Sequence, residues 1–294
     1  MVRLTKSELK QQSVDRYLST KRFLGGVDIP TVPKVINDLR DVFSRKFVNI
    51  LDVARIIESN NVIAGEFIHA VNSGRFFDKP KCKISKVKDG LILSGGDNPE
   101  LVDFITTLAM KNAFPDEVKD PSFHEMMEYC SDVAYLCKEI SDEMIEIDKI
   151  EAYIFGLFVD CGYLLLNKKN TAYFNIFTRS RTQPRRALDM EYKMGADHAS
   201  AGFLMAKEWS LPNWIQGGIL FHNVEMGRDG SVLSEKTQDM VSVYWIASYI
   251  LNEISYGGYI TQEYRDEYKR QRDRLDLSEI FLSQVRKTFI IDKG

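Results

Sequence analysis

Apolar residues recur at spacings of three and four along almost the whole chain, while few segments alternate with period two. That pattern predicts helices packed by one face, and hence an all-α fold of two packed helical lobes. Val32, Val35, Ile36, Leu39 and Val42 make the first clear stripe, entered through Pro30-Thr-Val-Pro33, which suits a helix start. Asn49 stands where it can cap the next helix, which carries Asp52 in its first turn and turns Val53, Ile56 and Ile57 inward. After Asn60-Asn61 a third stripe runs through Ile63, Ala64, Phe67, Ile68 and Val71 and stops at Asn72-Ser73-Gly74. The stretch from Phe77 to Lys88 is basic and irregular, and the Ser94-Gly95-Gly96-Asp97 turn precedes a helix opening with Asn98-Pro99.

Residues 113–121, AFPDEVKDP, interrupt the periodicity with prolines and acids and mark the expected boundary between the lobes. The expected organisation is an N-terminal extension over 1–20, a helical lobe over 21–115, and a second helical lobe with a helical tail over 116–294. The second lobe starts with a helix through Met126, Cys130, Val133, Ala134, Cys137 and Ile140. Asp148, with Glu151 three residues later, predicts the start of another. The run IFGLFVDCGYLLL at 154–166 is hydrophobic nearly all round except for Asp160, so it is expected as one helix at the centre of the lobe. The connector over 167–184, leading into the basic Arg179–Arg186 cluster, reads as a surface loop. Asp197 can cap a helix in which His198, Ala201, Gly202, Met205, Ala206 and Trp209 share a face, and Leu211-Pro212 ends it. Next, Ile215, Ile219 and His222 fall at i, i+4 and i+7 and point the same way. Residues 238–251 form another buried helix around Val241, Tyr244, Trp245 and Ile250, and the RDEYKRQRDRLD run predicts a mixed-charge surface helix.

Composition adds limits. With 44% hydrophobic and 28% charged residues the chain is neither disordered nor fibrous. A net charge of −3 gives no global attraction to nucleic acid or an anionic membrane, so both are disfavoured as partners. The first twenty residues lack the apolar core of a signal peptide, and no segment reads as the ~20 apolar residues of a bilayer span; a cytoplasmic protein is expected. Cys82, Cys130, Cys137 and Cys161 form no C-x-x-C pair and read as reduced thiols. The glycine pairs lack the lysine, strand or spacing of a phosphate loop, and neither a serine elbow nor an activated cysteine is present.

Three residues could carry chemistry together. Asp160 is an acid in an apolar helix, which demands a partner or a metal ion. His198 and His222 face the same core, and two histidines with one carboxylate can hold a divalent ion with open positions. The plainer alternative is a structural acid and two hydrogen-bonded core histidines. His69 and His124 read as packing or rim residues.

Four stretches of the chain resemble the HDOD family, the regulatory relatives of HD-domain phosphohydrolases. IPTVPKVINDL at 29–39 is similar to the family's opening helix, and ARIIESNNVIAGEFIHAVNSGRFF at 54–77 to its helix pair, with Asn60-Asn61 where Asp-Pro is usual. FGLFVDCGYLLL at 155–166 resembles the Gly-Leu-Leu-His-Asp-Ile-Gly helix, with Val159 in the histidine's place. EYKMGADHASAGFLMAKEWSLPNWIQGGILFHN at 191–223 resembles the stretch that ends in a histidine pair, here His222-Asn223.

The resemblance implies an HD-like second lobe and also a depleted site. Of the metal ligands of active HD enzymes only Asp160 is matched; the others would fall at Val159, near Tyr129 or Cys130, and near Ser248. The expectation is therefore a non-catalytic signalling or regulatory module. Its remnant pocket of Asp160, His198, His222 and Asn223 would bind a small phosphorylated ligand or a signalling protein, with no cofactor. The alternative is a metal-dependent phosphohydrolase acting on a nucleotide or cyclic dinucleotide, with a divalent ion on Asp160, His198 and His222. Nucleic-acid binding through the basic connector ranks last.

Overall fold

The computed structural model describes residues 6–31, 34–43, 45, 47–74, 76, 80–95, 99–117, 119–223 and 233–293. Val32, Pro33, Phe77, Gly96, Asp97 and Asn98, invoked above, lie outside them. Among the described residues there are helices and no strands. The chain divides into two compact units, Pro30–Val118 and the combination of Met1–Ile29 with Lys119–Gly294.

Helix α1 (Lys6–Phe23) is the first element of the larger unit. The smaller unit follows with α2 (Lys34–Phe43), α3 (Ile50–Glu58), α4 (Asn61–Ser73), α5 (Val87–Ser94) and α6 (Pro99–Asn112). Local chemistry sets its boundaries. The Asn49 side chain accepts from the Leu51 N–H at 2.9 Å, and Asn60 accepts from those of Val62 and Ile63, so each asparagine satisfies donors that the helix leaves over. Gly74, at φ 86°, ends α4 in the left-handed region where a side chain would be strained. The expected stripes meet in one core that includes Ile36, Leu39, Val53, Ile57, Ile63, Phe67, Leu91 and Ile105.

The larger unit continues with α7 (Pro121–Ile140), α8 (Lys149–Val159), α9 (Gly162–Lys169), α10 (Ala172–Ser180), α11 (Pro184–Met194), α12 (His198–Glu208), α13 (Asn213–Phe221), α14 (Glu235–Tyr256), α15 (Gln262–Arg274) and α16 (Glu279–Lys293). Helices α7 and α8 pack along each other; α14 lies against α7, α13 and α15, and α12 against α1, α8, α9 and α13.

Four expectations need correction. The first helix does not stand as an extension before the smaller unit, because it belongs to the larger one, and Tyr17 sets its ring edge-on against Phe203 of α12. The run 154–166 is not one helix: it breaks at Asp160 (φ −102°, ψ 0°) and restarts at Gly162. The connector over 167–184 is not a loop, since Tyr173, Ile176 and Phe177 form a buried face on α10. Helix α15, charged as expected, is not merely a surface element either; it buries Tyr264, Tyr268 and Gln271. In addition, Lys149–Lys169 is long and apolar enough by composition to cross a bilayer, which the sequence reading missed, and 89% of that window is buried within the protein.

Candidate functional site

Close approach of two helices builds the site. A Cβ on Gly162 would lie 1.9 Å from the His198 carbonyl oxygen and 2.5 Å from the Gly202 nitrogen, so only glycine lets the start of α9 rest on the first turn of α12. This contact sets Asp160, two residues earlier, beside His198. Asp197 caps α12 by accepting from the Ser200 N–H at 2.8 Å, and its own N–H donates to Thr20 Oγ1 of α1. His222 follows α13 at its C-terminal cap, and its backbone carbonyl accepts from the Trp245 indole at 3.0 Å.

Asp160, His198 and His222 converge, each at most 5% exposed, with one ligand atom of each inside a 4.8 Å span. His198 Nδ1 lies 2.7 and 2.8 Å from the carboxylate oxygens of Glu191, which also accepts the His198 backbone N–H at 2.9 Å. Glu191 is fully buried and takes the Tyr163 hydroxyl as a further donor, and the Tyr163 ring stacks on His198. His222 Nδ1 donates to the Ile219 carbonyl at 2.6 Å. Both Nδ1 atoms are thus committed, and both Nε2 atoms face inward, 3.1 Å apart. Asp160 Oδ1 is 3.5 Å from His198 Nε2, and Oδ2 accepts from the Tyr244 hydroxyl at 3.0 Å. The Asn223 amide closes the site, its nitrogen 2.9 Å from His198 Nε2 and 2.8 Å from His222 Nε2.

Electrostatics divides the two imidazoles. Burial works to lower the His198 pKa, but the Glu191 carboxylate, with Asp160 and Asp197, overcomes it and raises the value to about 9. Burial and the neighbouring His198 charge push His222 down to about 3. At neutral pH His198 is therefore a cation whose Nε2–H donates to the neutral His222 Nε2. The Asn223 amide meets both Nε2 atoms with one end, and each end suits only one of them: its N–H donates to the unprotonated His222 Nε2, whereas its oxygen accepts from the His198 Nε2–H. Asp160 is itself raised, by burial first, against the pull of His198 and Tyr244.

The donor set also fits a single divalent ion. Two ligand atoms at about 2.1 Å from one ion, at octahedral or tetrahedral angles, lie roughly 3.0–3.4 Å apart, close to the spacings of 3.1 and 3.5 Å found here. Asp160, His198 and His222 would hold it, in exchange for the His198 proton and the Asn223 amide contact. The other positions implied by the resemblance carry a neutral set. Val159 is fully buried, and burial holds the Cys130 thiol protonated. Asn252 donates to the hydroxyls of Tyr129 and Tyr264, and Tyr264 pairs with Ser248 at 2.6 Å.

Two residues essential to this arrangement were not singled out from the sequence. Glu191 was legible only as part of the EYKMGADH stretch, and nothing in its helical spacing marks it as buried. Arg181, from the basic cluster, lies between the Tyr129 and Tyr256 rings, donates to Asn252 at 3.2 Å and pairs with Glu125 at 3.3 Å. His69 and His124 are exposed.

The sequence model of the HDOD domain matches residues 29–224. No curated protein matches the chain. Among solved structures, an HDOD domain protein of unknown function from Geobacter sulfurreducens is 21% identical, with a TM-score of 0.68 over 94% of this chain and 95% of that one. A candidate phosphohydrolase from Shewanella amazonensis is 17% identical, with a TM-score of 0.62 over 94% of each chain. A candidate signal transduction protein from Marinobacter aquaeolei is 15% identical, with a TM-score of 0.68 over 99% of this chain and 65% of that one. At these identities the likeness carries the fold alone.

Proposed function

We propose, for a chain that belongs to the HDOD family, that it serves as a signalling module that binds a ligand or a partner protein beside its HD-type site and does not hydrolyse phosphate esters there. One observation carries this reading: each polar atom that could serve as a ligand already meets a protein group, down to the Asn223 amide lying against both Nε2 atoms. A hydrolase needs a position open to water and substrate, with cations free to hold the phosphate. The arginines at the mouth of the site, Arg185 and Arg270, are instead paired with Glu263 and Glu267. Kinship with a candidate signal transduction protein supports the same reading at the level of fold.

The convergence of Asp160, His198 and His222 favours a second reading, a metal-dependent phosphohydrolase acting on a nucleotide or cyclic dinucleotide. An ion held there would supply Lewis-acid activation of water. Elemental analysis of protein purified without chelator, paired with a phosphodiesterase assay in added manganese, separates the two. Metal-poor protein without turnover is expected. Stoichiometric metal together with hydrolysis abolished by Asp160→Ala would overturn the module reading.

A further inference from the structure

A pocket of about 170 Å³ opens on the outer side of His222 and Asn223, framed by α11, α14 and α15. Its volume is similar to the roughly 150 Å³ cavity that admits a benzene ring in an engineered protein core, so it takes one ring or a compact fused pair. Its walls are polar and apolar in about equal measure, and the apolar part is aromatic and aliphatic side chain. Trp245, Tyr264, Val241, Leu188 and Pro184 all face it. The Trp245 indole is anchored by its hydrogen bond to the His222 carbonyl, and it meets Tyr264 edge to face at 5.7 Å. Such pre-set aromatic walls favour a planar guest over a flexible one, because little ordering is left to be done on binding. Thr261 adds a hydroxyl that donates to the Thr182 carbonyl and keeps lone pairs with which to accept.

Charge narrows the class. Four charged residues line the rim, and they form two internal pairs: Arg185 with Glu263 at 2.9 Å and Arg270 with Glu267 at 2.6 Å. Their formal charges cancel. A phosphate entering here would have to take an arginine from its carboxylate and leave that carboxylate facing an anion. A neutral guest disturbs neither pair. We propose that this pocket is a binding site for an uncharged, planar heteroaromatic small molecule of one or two rings, which rests on the module reading above and narrows its ligand.

The test is calorimetric titration of the full chain with adenine and benzimidazole as neutral probes, against AMP as the anionic one. Saturable binding of a neutral probe is expected, at a dissociation constant on the order of 10⁻⁴ M for so few atoms, with AMP weaker by roughly tenfold. In NMR spectra the Trp245 indole N–H should shift with added adenine while those of Trp209 and Trp214 hold still. Leu188→Trp, filling the pocket, should abolish binding, and Glu263→Gln, freeing Arg185, should narrow the gap between adenine and AMP. An absence of saturable binding and of any Trp245 shift would overturn the inference, as would tighter binding of AMP than of adenine. The same samples are assayed for phosphate release. Turnover would sink the non-catalytic reading by itself, while lack of neutral-probe binding without turnover would sink only the pocket assignment.

Discussion

Folding stability should pass through a maximum near pH 6.5 and fall on both sides, because the two site histidines are displaced in opposite directions from a shared unfolded value of 6.5. His198 is raised to about 9 when folded. Its contribution is fully present below pH 6.5 and is lost as pH rises through about 9, since the folded protein then holds a proton that the unfolded chain has released. At about 1.4 kcal/mol per unit, that alkaline limb amounts to roughly 3 kcal/mol. His222 is lowered to about 3, so its contribution is present above 6.5 and is lost as pH falls, by up to roughly 5 kcal/mol. Asp160, raised by burial, works against the acid limb, because its contribution is present at low pH and is lost as pH rises through its folded value. The alkaline limb is therefore the cleaner measurement. Urea denaturation at intervals from pH 6.5 to 9, on the natural protein and on His198→Gln, isolates it. Burial also holds the thiols of Cys130, Cys137 and Cys161 above their ordinary range, which removes stability at high pH in both proteins and cancels in the difference. A difference between the two proteins that is flat across this interval would refute the assignment of His198 as a buried cation.

Three further outcomes follow from the same geometry. Glu191→Gln removes the carboxylate against His198 Nδ1, and the His198 titration followed by NMR should drop by roughly two units or more; an unmoved value would mean that Glu191 is not the cause. Gly162→Ala drives a Cβ into the His198 carbonyl and should destabilise the protein by about 3 kcal/mol or leave it insoluble, as read by urea denaturation and soluble yield. Asp160→Asn keeps an acceptor for the Tyr244 hydroxyl while removing a buried charge, so at pH 7 its stability should stay within about 1 kcal/mol of the natural protein, whereas a resident metal site would lose its ion and much of its stability.

The helical class was legible because apolar spacing reports which face of a helix is buried, and the caps at Asn49, Asp148 and Asp197 are local interactions within three residues. The break at Asp160 was not legible. Its cause is the approach of Gly162 to a helix some forty residues further on, which leaves no trace in the local hydrophobic pattern. The same holds for α10, whose buried face is short and flanked by basic residues that hide it. Asp160, His198 and His222 could be named from burial and residue type. Asn223 was named through the resemblance, but Glu191 and Tyr244 were not named as partners, because they are ordinary polar residues until the chain brings them into contact.

Charge balance at this site is met from the chain's own side chains. Buried carboxylates at Asp160 and Glu191 need a positive partner, and a metal ion is one way to supply it. Here the His198 proton supplies it, held between Glu191 on Nδ1 and Asp160 near Nε2. Arg181 adds a cation beside Tyr129, whose environment also includes Asp160. With these charges built from side chains, the neighbouring positions can be filled by neutral groups such as Val159, Tyr129 and Ser248 at no electrostatic penalty. The site then holds its shape on packing and hydrogen bonds, with its buried carboxylates balanced by the chain's own side chains.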